Sequence, residues 1–118
     1  MTLKITLKPG EPVFVGEAVL RVVSSSTSVL LIEGNSPVLR AEDFLFTPAF
    51  ASPVDTMRML LQKLYLSRHG GSPIDEFRKL SQEILGQQPT LAPFVEKLDR
   101  LLREGQLYRA VKEAKNIA

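Results

Sequence analysis

A chain of 118 residues, 44% of them hydrophobic, can form one compact unit or two small ones sharing a core, which excludes wholesale disorder. Cysteine is absent, and with it go disulfides, thiol catalysis and thiolate metal sites. The formal net charge is +2, with four basic and five acidic side chains in residues 1–50 and eleven and eight in 51–118; neither half is a polycation, so any nucleic-acid contact must be a local patch.

In chain order, the first half reads as strands. Leu3, Ile5 and Leu7 alternate with Thr2, Lys4, Thr6 and Lys8, the period of a half-buried strand. This alternation differs from the unbroken apolar block of a signal peptide, and no later run approaches the roughly 18 apolar residues of a membrane span. A cytoplasmic protein without membrane contact is the expectation. Pro9 and Gly10 mark a turn. Val13-Phe14-Val15 and residues 18–23 flank Gly16 and Glu17, and glycine at the first central position suits a type II′ hairpin. Residues 24–28 form a polar loop. Val29-Leu30-Leu31-Ile32 is another strand, ended by Gly34-Asn35-Ser36-Pro37, and Val38-Leu39-Arg40 begins a fifth.

The second half reads as helices. Ser52-Pro53-Val54-Asp55 and Ser72-Pro73-Ile74-Asp75 carry one start signal: serine at the N-cap, proline at the first helical position, aspartate near the positive end of the dipole. Val54, Met57, Leu61, Leu64 and Tyr65 follow the first at helical spacing. Ile74, Phe77, Leu80, Ile84 and Leu85 follow the second. Gly70 and Gly71 separate these helices, and Pro89 ends the second. Leu91, Phe94, Val95, Leu98, Leu101 and Leu102 form the clearest stripe, Gly105 breaks the chain, and Leu107, Val111, Ala114 and Ala118 share one face of the last helix. Helices this short need packing partners. The expected class is α+β: a small antiparallel sheet subdomain at residues 1–46, then a four-helix assembly at 52–117 within a helical subdomain at 52–118. Residues 46–51, with Pro48, are the expected hinge.

Little in the chain points to catalysis. His69 is the one histidine, and it suits a helix C-terminus ahead of Gly70. Glu42-Asp43 and Asp75-Glu76 read as surface or cap residues. There is no phosphate-cradling G-x-x-x-x-G-K-[ST] loop. No enzyme activity, metal or cofactor is expected.

Four blocks in order resemble the FlbT family of flagellin regulators. They are Leu7-Lys8-Pro9-Gly10-Glu11 with Ala18-Val19-Leu20-Arg21; Leu31-Ile32-Glu33 with Pro37-Val38-Leu39-Arg40 and Asp43; Ser52-Pro53 with Leu61-Gln62-Lys63-Leu64-Tyr65-Leu66; and Leu101-Leu102, Gly105, Tyr108, Ala110 and Lys112. Family members commonly carry Asn-Gly where this chain has Gly16-Glu17, an exchange of one tight-turn chemistry for another. The resemblance implies a non-enzymatic regulator that acts through the 5′ untranslated region of flagellin messenger RNA. Repression is the commoner description. The partner it implies is that messenger's leader; flagellin, or another flagellar regulator, is the alternative, for which the protein would serve as adaptor or chaperone.

The strand half also resembles the carbon storage regulator family, small RNA-binding dimers of exchanged strands. The likeness lies in Gly10-Glu11, Val15-Gly16-Glu17, residues 29–32, Asn35, Pro37 and Glu42-Asp43. RNA contacts in that family lie on the first and last strands, which directs attention to Lys4, Lys8 and Arg40. The family's first-strand arginine has no equivalent here, where Thr6 and Leu7 stand. The expected RNA-binding residues are Lys4, Lys8, Arg21 and Arg40, and a homodimer is expected because so small a sheet leaves open edges. Arg100, Arg103, Arg109, Lys112 and Lys115 are the competing basic groups; with Glu96, Asp99, Glu104 and Glu113 beside them they read first as a solvated face. Tyr65 and Tyr108 could stack on bases but are expected to be semi-buried packing residues.

Overall fold

The computed structural model of the chain describes residues 2–46, 49–67 and 72–116, the side chains of 72–74 apart. His69, the Gly70-Gly71 break, Pro48 of the expected hinge and Ala118 lie outside the described residues. The class is α+β, and the chain divides into two compact units, 1–44 and 45–118.

The first unit has five strands: β1 (Thr2–Leu7), β2 (Pro12–Val15), β3 (Ala18–Arg21), β4 (Ser28–Glu33) and β5 (Val38–Arg40). They form two antiparallel sheets rather than a single one: β1 with β4, and β3-β2-β5. Ile5 and Leu7 of the first sheet are buried with Val13 of the second, and Val15, Leu30, Ile32 and Val38 close around them. Side-chain alternation dictates this layering, because Leu3, Ile5 and Leu7 fall on one face of β1. Leu3, near the open end, remains partly exposed. Gly16 has φ 58°, as the first position of a primed hairpin turn requires, and Val15 pairs with Ala18 across it. The strand expected over residues 18–23 stops at Arg21. The carbonyl of Val22 accepts a hydrogen bond from the amide of Gly10, in the β1–β2 turn, and Val23, 96% exposed, has left the sheet. β2 begins only at Pro12, which pairs with Arg21 and has no N–H to extend the ladder. After β5 the chain makes a 3₁₀ turn (Ala41–Asp43), and Phe44 stacks on Phe14 with ring centroids 3.7 Å apart. Asp43, read from sequence as a surface or cap residue, is buried.

The second unit has four helices: α1 (Pro53–Ser67), α2 (Ser72–Gln87), α3 (Ala92–Arg103) and α4 (Leu107–Lys115). Ser52 caps α1: its Oγ accepts from the Asp55 amide at 3.1 Å, and Asp55 Oδ2 accepts from the Ser52 amide at 3.2 Å. This reciprocal pair satisfies two groups the helix start leaves open. α1 packs against α2 and α4, and α3 against α4. Residues at the expected helical spacing are buried, Met57, Leu61 and Leu64; Phe77 and Ile84; Val95, Leu98 and Leu101; Val111 and Ala114, and Leu60, Gln62 and Ala110 are buried with them. Phe94, assigned to the α3 stripe, instead stands 39% exposed in the first turn of α3, whose buried face runs through Val95, Leu98 and Leu101. Gly105 takes φ 73° and ends α3. Gln106 donates its amide to Leu101 and Gly105 donates to Leu102, the paired bonds of a Schellman motif.

Candidate nucleic-acid interface

Lys4, Lys8, Arg21 and Arg40 are all exposed. β1 and the turn after it gather three of them. Lys8 opens the turn, which is closed by the Glu11 amide donating to the Lys8 carbonyl at 3.0 Å. Arg21 Nη1 donates to the carbonyl of Gly10 in the same turn at 2.8 Å. Arg40 Nη2 donates to the carbonyl of Thr6, two residues before Lys8, at 3.4 Å. Lys4 lies four residues back on β1, about 13 Å away at the rise of a strand. It shares the outer face with Thr2 and Thr6, and pairs across the ladder with Leu31.

The partners matter more than the positions. Arg21 and Arg40 donate to backbone carbonyls, which are neutral, so the positive charge stays uncancelled. Each recorded bond uses one of the five guanidinium donors. Among the described residues none of the four is ion-paired with a carboxylate. The turn has its own acid, Glu11, whose carboxylate accepts the Lys8 backbone amide at 3.3 Å and tempers the local charge.

Two basic groups of the helical unit are held by carboxylates instead. Arg103 Nη2 lies 2.9 Å from Asp99 within α3, and Lys97 Nζ lies 3.3 Å from Glu113 across the α3–α4 pair. Arg109 donates to the Gln106 side chain at 2.8 Å. Tyr65 and Tyr108 meet with centroids 5.6 Å apart and planes tilted by 51°. Tyr65 is half-buried, whereas Tyr108 is 44% exposed, more open than the semi-buried position expected for it, because it lies at the margin of the α4 face that buries Ala110, Val111 and Ala114.

Two features were not legible beforehand. Gln62 is buried in α1 and binds the backbone of Leu45 twice, accepting its amide and donating to its carbonyl, each at 2.9 Å. Its only sequence signal is a polar residue inside the run Leu60-Leu61-Gln62-Lys63-Leu64. A cleft of about 370 Å³ lies in the helical unit between the start of α1 and the end of α2, lined by Pro53, Val54, Asp55, Ile84, Gln87 and Leu91 among others. It contains none of the predicted basic residues. Among the described residues no three histidine, aspartate or glutamate side chains cluster as metal ligands, and no helix is long and apolar enough to cross a membrane.

Fold and surface together define a small two-unit α+β protein with a basic strand end as its candidate interface. The chain belongs to the FlbT family, since the family model described as "Flagellar protein FlbT" matches residues 3–118. It is similar to the "Probable flagellum biosynthesis repressor protein FlbT 1" of Bradyrhizobium diazoefficiens, with 28% identity over 117 residues, 99% of this chain and 80% of that protein. It is also similar to the "Probable flagellum biosynthesis repressor protein FlbT" of two Rhodopseudomonas palustris strains, with 27% identity over 113 residues, 96% of this chain and 89% of theirs. No solved structure matches the chain.

Proposed function

We propose that this protein represses flagellin synthesis after transcription, by binding the 5′ untranslated region of flagellin messenger RNA directly and altering its stability or translation. Lys4, Lys8, Arg21 and Arg40 make the contacts. The observation that carries this reading is the uncancelled charge at the end of β1: the guanidinium groups of Arg21 and Arg40 rest on the carbonyls of Gly10 and Thr6 rather than on carboxylates. Such groups are oriented yet still able to neutralise phosphate. The names of the curated relatives support the repressor role. The protein acts in the cytoplasm as a homodimer, and no catalytic step or cofactor is invoked.

A second reading, a protein-binding adaptor for flagellin or another flagellar component, draws on Phe50. Its ring is 94% exposed, two residues ahead of the Ser52 cap that borders the cleft. Fluorescence anisotropy with labelled flagellin leader RNA, and separately with flagellin, decides between them. The RNA reading expects saturable leader binding that weakens steeply with salt. Binding of flagellin with no leader binding at low salt would overturn it in favour of the adaptor.

A further inference from the structure

β4 is apolar on both faces, with Leu30 and Ile32 turned toward the core and Val29 and Leu31 turned outward. A strand that reads as a continuous apolar run is ordinarily covered on both sides. Here Val29 is 56% and Leu31 63% exposed. β4 also has β1 as its one ladder partner among the described residues, so its other edge is open. The usual guards of an open edge are missing from its middle: residues 29–32 contain no charge, proline or glycine. A two-stranded sheet is the weakest sheet, and three or more strands are needed for independent stability. The edge, the uncovered aliphatic side chains and the shortage of strands therefore coincide on one element.

We infer that β4 pairs antiparallel with β4 of a second copy, joining two β1–β4 ladders into one four-stranded sheet. The inference rests on the homodimer proposed above and names its interface. A second copy is favoured over a foreign strand because the edge is complementary to itself. Side chains directly opposite in a sheet share a face, so a two-fold axis must pass through a residue of β4. With Leu30 on the axis, Val29 lies opposite the partner's Leu31 and Leu31 opposite the partner's Val29, so each outward aliphatic side chain of one strand meets one of the other. With Leu31 on the axis, Val29 would lie opposite the partner's Glu33. The first register joins like with like and overlaps residues 28–32. It also sets the two Lys4 residues on one face, three strand spacings across and two residues along, about 16 Å apart, which gives a single RNA strand two basic rows to engage.

Light scattering at micromolar concentration tests this with two double variants at the exposed positions. The parent is expected at twice the 13.1 kDa single-chain mass. Val29→Lys with Leu31→Lys sets like charges opposite one another and is expected to give the single-chain mass. Val29→Lys with Leu31→Glu sets lysine opposite glutamate across the Leu30-centred axis and is expected to retain the dimer, which also shows that polar residues at these sites leave the fold intact. A dimeric lysine–lysine variant would overturn the interface. A monomeric lysine–glutamate variant would overturn the register, since only an axis at Leu31 brings the two glutamates together. A parent at the single-chain mass would remove the dimer itself. Leader RNA binding lost while the mass stays doubled would count against the proposed function alone.

Discussion

Arg21 and Arg40 of the strand unit and Arg103 of the helical unit differ in what holds them. In the strand unit Arg21 and Arg40 reach backbone carbonyls of β1 and the turn after it, contributed by residues distant in sequence. In the helical unit Arg103 is matched by an acid four residues away, and Lys97 by one on the facing helix. A carbonyl orients a cation without neutralising it, whereas a carboxylate does both. A count of lysines and arginines therefore does not by itself locate the available charge. Helices place charges three or four residues apart on one face, where opposite signs pair readily. Strands set neighbouring charges on opposite faces, so pairing needs a suitable cross-strand partner.

Four measurements put the difference between the two units to the test. The largest effect is expected from Leu98→Ala, which empties a fully buried site in the helical unit and should cost about 2–5 kcal/mol in a urea denaturation. A midpoint equal to the parent's would show that the α3 stripe does not form the core. Gln62→Ala leaves both backbone groups of Leu45 without their partner and should cost about 1–3 kcal/mol by the same assay. An unchanged midpoint would mean that water replaces the amide freely.

For RNA, Lys8→Ala with Arg40→Ala should weaken leader binding roughly tenfold, and reduce the slope of log affinity against log salt by about 0.7 for each lost contact. Identical salt titrations for parent and variant would move the interface off β1. The smallest effect is expected from Arg103→Ala. Its pair with Asp99 is exposed, so stability should change by about 0–1 kcal/mol, and leader affinity should stay within error. A loss of affinity matching that of the strand variant would erase the distinction between carbonyl-held and carboxylate-held cations.

The elements and most of their inward faces are written in the local sequence. Alternation at Ile5 and Leu7, the Ser52-Pro53-Val54-Asp55 cap, the Gly105 stop and the stripe through Leu98 are local chemistry, set within a turn or two of chain. The sequence also supplied four candidate basic residues, by resemblance rather than by pattern. Tertiary structure alone decided how the strands divide into two sheets, because an apolar face does not say which strand it will meet. Strand pairing likewise ended β3 at Arg21, where its neighbour β2 runs out. Packing left Phe94 and Tyr108 open, since residues at the margin of a helical stripe are covered only if a neighbour reaches them. The availability of charge at Arg21 and Arg40 was decided there too: their partners Gly10 and Thr6 stand 11 and 34 positions away in sequence, and only folding brings a neutral carbonyl to each cation.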